Sequence, residues 1–328
     1  MNHRIPEALI ALLSHSRITD ICMNSHDEIY IDQGKGLEPF IPSTPLFQNE
    51  IEYRNFILEQ ISLSGKTWDA KLPFLDTIFF TTHRAHIAFP PLAQFGIYLS
   101  LRKLPLKQQD LGHAKVEAAS RWSHHEERFK LLVGAIESHE TILIAGGTGS
   151  GKTTLLNDLL SFSEPHERII ALEDTAEISP AHPHYLSLLS RTANADGFGT
   201  VGLRDLLRQT LRMRPDRILI GECRGDEVLD LLQALNTGHK GTLCTIHANS
   251  ARDALKRMEL LALIGAKGTL PSPLIKELIV AGIQKLVFLE RVNGQRLIQS
   301  ILQIEGKEKD VIITRPLAES HASRSNLA

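Results

Sequence analysis

The stretch GGTGSGKTT, Gly146–Thr154, places four glycines ahead of a lysine and two threonines. It matches the pattern G-x-x-x-x-G-K-[ST] in full. Gly146, Gly147, Gly149 and Gly151, with Thr148 and Ser150 between them, let the backbone curl until its N–H groups converge on one point. An apolar strand, TILIAGG, leads in and an amphipathic helix, TTLLNDLLSF, leads out, so that point lies at the positive end of a helix dipole. Such a loop suits the phosphates of a nucleotide. Lys152 is expected to reach the β- and γ-phosphates and the Thr153 hydroxyl to ligate magnesium. Thr154 either packs or touches the α-phosphate.

A second set of residues is acidic. Phosphoryl transfer needs a group that orients the attacking water, and magnesium wants oxygen ligands or held waters. RILIGECRG, 217–225, is an apolar strand ending in Gly221, where many nucleotide-hydrolysing strands carry a magnesium-binding aspartate. Its first acid is Glu222. LEDTAEI ends the preceding strand with Glu173, Asp174 and Glu177. Acids at the carboxyl ends of parallel strands converge on the ligand crevice, so the acidic work is expected to be divided between two strand ends, that of LEDTAEI lying next to the phosphate-loop strand. The bland alternative is a solvated acidic loop. NTGHKGTLCTIHANS then sets His239 and His247 at the two ends of a short strand, expected at the crevice edge. A neutral imidazole there can report a γ-phosphate or its water.

These groups need a scaffold. From ERFKLLVGAIES onward, the apolar runs TILIAGG, RIIALED, RILIGE and GTLCTIHA alternate with helical segments. Strands apolar along most of their length are those of a parallel sheet with helices on both faces, an α/β class. KLVFLERVNGQRLIQSILQI reads as a hairpin turning at Asn293-Gly294. Residues 1–106 read as a smaller α+β unit, with EIYID, TIFFTTHRAHIAFPP and GIYLSLRK as strands and EIEYRNFILEQISLSG as a helix. Residues 107–123 read as a polar linker, 124–316 as the nucleotide-binding domain and 317–328 as a disordered polar tail.

Composition bounds the class. A chain of 328 residues accommodates two domains, and 42% hydrophobic content with a net charge of -2 fits a soluble protein. The near-neutral balance gives no global attraction to nucleic acid or membrane. Cys22, Cys223 and Cys244 lack disulfide or metal-ligand spacing and read as small buried groups. The apolar run near the N-terminus is too short to span a bilayer, which makes a cytosolic protein the default. The histidine pairs at 124–125 and 182–184 read as solvated loop residues.

Taken in order, GGTGSGKTT, LEDTAEI, RILIGECRG and GHKGTLCTIHANS resemble the hexameric secretion and traffic ATPases of type II and type IV secretion, pilus assembly and conjugation. The likeness covers about residues 18–305. It implies a RecA-like P-loop ATPase domain behind a smaller N-terminal α+β domain, and a glycine before Glu222 belongs to that family's pattern. It further implies Glu177 as the base for the attacking water, Glu222 as organiser of Mg2+ and its waters, and Glu173 and Asp174 in support. His247 would be the nucleotide-sensing histidine, with His239 nearby. DAKLP…HRAHIAFPP…LSLRKLP resembles the family's N-terminal pattern, which makes Arg84 and Arg102 candidates to offset charge on ATP. His83 stands where that pattern commonly has a glycine, so a different turn is expected there. Arg212, Arg214 and Arg217 in LRMRPDRI become candidates for subunit contacts.

Three scattered cysteines leave out the four-cysteine zinc module of the extension-type ATPases, and the wording LRMRPDRILIGE…LNTGHKGT…THANS most resembles the type IV secretion and conjugative-transfer branch. The resemblance thus implies a homo-hexamer that hydrolyses ATP with Mg2+ in the bacterial cytoplasm. It would work against inner-membrane secretion or pilus machinery, with peripheral membrane association and no direct contact with nucleic acid. The alternatives are a pilus-assembly or retraction motor, a nucleotide-gated ring scaffold with little turnover, and a nucleic-acid motor. A GTPase is disfavoured because no N-K-x-D segment occurs.

Overall fold

The computed structural model describes residues 5–34, 36–69, 73–104, 111–191 and 199–319. The chain divides into two units, the described part of the first ending at Leu104 and that of the second beginning at Leu111. Part of DAKLP (70–72), the start of the segment read as a linker (107–110) and the tail beyond 319 lie outside the described residues.

The first unit comprises α1 (Glu7–Ser14), β1 (Asp20–Met23), β2 (Ile29–Asp32), β3 (Leu37–Phe40), α2 (Glu50–Leu63), β4 (Phe74–Phe79), β5 (His83–Ala88) and β6 (Tyr98–Lys103). Its strands form one sheet in the order β3-β2-β1-β6-β5-β4, antiparallel throughout. Strand periodicity puts Ile21 and Met23, Ala85 and Ile87, and Leu99 and Leu101 on one buried face. Helix α2 starts where the Asn49 side chain accepts the Glu52 N–H at 3.0 Å. It buries Tyr53, Phe56, Ile57 and Ile61, a helical stripe, in the same core. His83 is the buried first residue of β5, with Phe80 and Thr81, both at positive φ, making the turn before it. Burial, with Lys103 nearby, pulls the His83 pKa down to about 4.

The second unit comprises α3 (Leu111–Arg121), α4 (Glu126–Glu137), β7 (Ile142–Gly146), α5 (Lys152–Leu160), β8 (Ile169–Glu173), β9 (Tyr185–Leu189), α6 (Leu203–Thr210) and β10 (Arg217–Ile220). It continues with α7 (Glu227–Asn236), β11 (Leu243–His247), α8 (Ala251–Ala266), α9 (Ser272–Gly282), β12 (Lys285–Val292), β13 (Gln295–Glu308) and β14 (Val311–Glu319). The sheet order is β14-β13-β12-β7-β11-β10-β8-β9, parallel from β12 to β9 and antiparallel through β13 and β14. Alternate residues of the parallel strands feed two cores. Leu143, Ile170, Ile220 and Ile246 pack under α6–α9, and Ile142, Ile144, Leu219 and Val287 pack under α3–α5. The hairpin turns at Asn293 (φ 50°) and Gly294 (φ 83°), as expected.

Four expectations need correction. Most of the segment read as a linker is α3, and the Ala118 and Trp122 side chains that end it are buried in the core around α5. The Trp122 indole N–H donates to Asp158 Oδ2 of α5 at 2.8 Å, and Arg121 pairs with the same carboxylate. Polar composition hid a helix with one buried stripe. The tail does not begin at 317, because β14 runs to Glu319 and tolerates Pro316 as an edge strand can. Of the histidines read as solvated, His182 is buried with Nε2 3.0 Å from the Glu164 carbonyl, and His184 Nε2 lies 3.0 Å from Arg168 Nη1.

Arg217 is the fourth. It is 1% exposed and is no candidate for a subunit contact. Its guanidinium donates from Nε to Glu167 at 2.8 Å, from Nη1 to the Gly241 carbonyl at 2.8 Å and from Nη2 to the Ile136 carbonyl at 3.1 Å. These bonds tie the amino-terminal edge of the sheet together. Burial pushes the Glu167 carboxyl up, but the Arg217 hydrogen bond and charge outweigh it and hold the pKa below the ordinary range. A depressed carboxylate pKa gives stability above the unfolded value of about 4.3, lost as pH falls through the folded value. Removing one partner leaves a buried charge, so Arg217→Met is expected to cost about 3–5 kcal/mol near neutral pH. Urea unfolding followed by circular dichroism reads this as a lowered midpoint, and the gap to wild type is expected to narrow as the pH drops below about 4.

Candidate functional site

The loop after β7 turns with φ of 158°, 72° and 99° at Gly146, Gly149 and Gly151, and α5 starts at Lys152. Positive φ at the last two positions is open to glycine at little cost. The first N–H groups of α5 have no acceptors within the helix and face the loop's mouth. Thr148 and Gly149 form the exposed rim, Gly147 is half-buried and Ser150 is buried beneath. Lys152 Nζ donates to the carbonyls of Gly146 at 3.0 Å and Gly147 at 2.9 Å. Burial lowers its pKa, and the charges of Glu222 and Glu177 act in the opposite direction.

The carboxyl ends of β7, β8, β10 and β11 carry the remaining groups, as the parallel register requires. His247 pairs in register with Gly146, which puts it beside the start of the loop. Glu222 follows β10 by two residues. Strands β11 and β10 stand between β7 and β8, so the acids of LEDTAEI end a strand three places from the phosphate loop rather than next to it.

Glu173 does not face the loop. It is 2% exposed, and its Oε1 accepts the N–H groups of Glu177 at 2.8 Å and Ile178 at 2.7 Å. Its Oε2 accepts the Ser187 hydroxyl of β9 at 3.1 Å. Burial raises its pKa while those hydrogen bonds restrain the rise. Its role is to fold 174–178 into a fixed loop. The Asn157 side chain of α5 takes the Ser179 N–H at 2.9 Å and ties that loop to the phosphate-loop helix. Glu177 is thereby held half-buried at the mouth.

Glu173 also accounts for Gly221. A Cβ at 221 would stand 3.1 Å from Glu173 Cγ, a side chain fixed by three hydrogen bonds. A side chain at this strand position would crowd Glu173, and the first acid comes one residue on, as Glu222. Glu222 Oε2 accepts from Arg224 Nη2 at 2.6 Å, and Arg224 Nη1 is 3.9 Å from Asp174. Arg224 so bridges the two acidic strand ends. Among the described residues no group of three or more His, Cys, Asp and Glu side chains could cage a metal. A hydroxyl at Thr153 and a carboxylate at Glu222 do fit magnesium, which keeps most of its waters.

His239 is misplaced by the sequence reading. It precedes β11, at the sheet edge opposite His247, with its Nδ1 3.3 Å from the Ala234 carbonyl. A strand of five residues puts its two ends on opposite edges of the sheet. Arg84 and Arg102 are direct partners across β5 and β6 in the first unit, with Arg84 3.8 Å from Asp76 and Arg102 2.7 Å from Asp20.

A family model described as type II/IV secretion system protein matches residues 6–321. The chain belongs to that family. It is 38% identical to a putative conjugal transfer protein of Mycobacterium tuberculosis over 92% of this chain and 86% of the relative. It is 31% identical to the type IV secretion system protein VirB11 of Bartonella quintana over 79% of this chain and 66% of the relative. A crystal structure of the pilus retraction motor PilT with ADP has a TM-score of 0.61 at 19% identity, covering 98% of this chain and 84% of that one. This likeness supports the fold: a RecA-like domain with a smaller N-terminal α+β domain.

In this type II/IV secretion family member, sequence reasoning passed over Arg224, Asn157 and Ser187. Arg224 was visible, two residues past Glu222 in a loop already singled out. Asn157 and Ser187 had no signal, since an ordinary polar residue in a helix or on a strand acquires its partner only in the fold. Gly221→Ala is expected to cost about 1–3 kcal/mol by overpacking, because the anchored Glu173 cannot give way. A denaturant midpoint equal to wild type would show that Glu173 has room to move.

Proposed function

We propose that this chain is an Mg2+-dependent ATP hydrolase that works as a homo-hexamer and powers type IV secretion or conjugative transfer. The observation that carries the reading is the phosphate loop at the carboxyl end of β7, with α5 starting at Lys152 and His247 in register beside Gly146. The relatives named for conjugal transfer and for VirB11 support the branch. Among the described residues no helix is long and apolar enough to cross a membrane. We place the ring on the cytoplasmic side of a bacterial inner membrane, held there by protein partners of the secretion machinery.

The loop N–H groups and Lys152 would cradle the phosphates of ATP, with Thr153 and Glu222 holding magnesium partly through water. That ion would supply charge neutralisation across the β- and γ-phosphates. Glu177, fixed by Glu173, would take the proton of a water attacking the γ-phosphorus in line as the bond to the β-phosphate oxygen breaks. His247, next to Gly146, would hydrogen-bond the γ-phosphate or that water and register its loss. Glu173 and Asp174 act at one remove, the first through its loop and the second through Arg224. Arg84 and Arg102 of the first unit are proposed to offset charge on the leaving phosphoryl group.

The test is steady-state phosphate release, with native mass measured with and without ATP. Glu177→Gln is expected to lower kcat by about 10²–10⁴-fold while ATP binding persists. Lys152→Ala is expected to remove both binding and turnover. A wild-type ring whose turnover matches that of Glu177→Gln would overturn the motor reading in favour of a nucleotide-gated scaffold. Stimulation by single-stranded DNA would favour a nucleic-acid motor instead.

A further inference from the structure

The hairpin of β12 and β13 carries two arginines on either side of its turn. Arg291 and Arg296 are direct cross-strand partners, so both side chains leave the same face of the hairpin. Like charges in that arrangement repel and weaken a hairpin. Among the described residues neither guanidinium is paired with a carboxylate within 4.0 Å. The arginines instead lie along the phosphate loop. Arg296 Nη1 donates to Thr154 Oγ1 at 3.1 Å, and its Cδ lies 2.7 Å from where a Cβ at Gly151 would stand. Arg291 Nη1 is 3.9 Å from the corresponding point at Gly149.

The hairpin is held in this position. The Arg128 side chain of α4 donates to the Ile298 carbonyl at 2.5 Å, and His124 Nε2 lies 3.3 Å from the Arg296 carbonyl. Partial desolvation, then the charges of Arg291 and Arg121, draw the Arg296 pKa below the ordinary guanidinium range, against the pull of the Asp158 carboxylate. A concentration of positive charge beside a phosphate loop is stabilised by an anion. Strand order says which part of that anion is in reach. Strand β12 flanks β7 on the side opposite β11, β10 and β8, whose ends carry His247, Glu222 and Glu177. The arginines therefore meet the loop on the side away from the γ-phosphate chemistry.

We propose that Arg296, assisted by Arg291, is a nucleotide-binding residue supplied by the subunit's own hairpin and directed at the α- and β-phosphates. The proposal rests on the nucleotide reading of the loop. Contacts to those phosphates are common to ADP and ATP, so the arginines act on affinity rather than on the chemical step. Gly151 serves this contact, since any side chain there would displace Arg296.

Binding of fluorescently labelled ADP and ATP to the full chain with Mg2+ tests it, beside steady-state turnover. Arg296→Ala is expected to weaken both nucleotides alike, by roughly 10- to 100-fold, with kcat at saturating ATP within about threefold of wild type and KM raised. Arg296→Lys keeps a charge without the fork and should fall between the two. Arg296→Gln keeps the stem over Gly151 and loses the charge, and an equal weakening by this variant at unchanged melting temperature separates lost charge from lost folding. Unchanged ADP affinity in Arg296→Ala and Arg296→Gln would overturn the proposal, as would a loss confined to ATP. Failure of the wild-type chain to bind either nucleotide would instead sink the nucleotide reading and this inference with it.

Discussion

The carboxylate of Glu173 accepts the N–H groups of Glu177 and Ile178 and the Ser187 hydroxyl, while a Cβ at Gly221 would stand 3.1 Å from its Cγ. Two strand ends are fixed by that one side chain. The loop bearing Glu177 takes its shape from the hydrogen bonds, and a Cβ at the end of β10 would press on the Glu173 side chain. The Gly221 N–H donates to the Leu172 carbonyl at 2.9 Å and its carbonyl accepts from Thr245 Oγ1 at 2.6 Å, so the glycine is clamped between β8 and β11. The first acid after β10 is Glu222, one residue past this clamped glycine. Burying a carboxylate is unfavourable unless its lone pairs are met, and here they are met by the groups whose position matters.

Charge is distributed to match. On one side of β7 lie Glu222, Asp174 and the loop of Glu177, with Arg224 bridging the first two. On the other side lie Arg291, Arg296 and Arg121, and among the described residues only Arg121 of these three has a carboxylate within 4.0 Å. Lys152 sits between these regions on the carbonyls of its own loop. A polyanion with a divalent cation at one end fits this layout: its charge meets arginine at one end, and its metal meets carboxylate at the other.

Much of this was legible in the order of residues. The phosphate loop, the strands on either side of it and the hairpin at Asn293-Gly294 are local signals, because a glycine-rich turn, an apolar run or an Asn-Gly pair specifies its own backbone. Residues whose meaning depends on a distant partner were misread. Glu173 read as an acid facing the crevice, and Ser187 and the 177–178 backbone enclose it instead. Arg217 looked like one of a basic row until Glu167, fifty positions away in the chain, neutralised it. His239 was misjudged for a geometric reason, since closeness in sequence across a strand means separation across the sheet. The arginines of the hairpin carried no motif, and only sheet order brings them to the loop.

Sheet order also decides where movement can enter. Helix α3 was read as a flexible connection because its surface is polar, yet Trp122 and Arg121 bind the Asp158 carboxylate of α5 and Ala118 is fully buried. Burial pushes the Asp158 pKa up, and Arg121 and Trp122 oppose the rise, so the carboxylate is stabilised by the residues it holds. Helix α5 is the one that begins with Lys152, and Asn157 of the same helix holds the Glu177 loop. A displacement of α3 would be transmitted to α5, and through it to the phosphate loop and the loop of the proposed base. Drawing Arg121 and Trp122 away from α5 would leave the buried Asp158 carboxylate unpaired, a cost of several kcal/mol. The carboxyl end of α3 is therefore part of the RecA-like domain, fixed to the helix that begins the site.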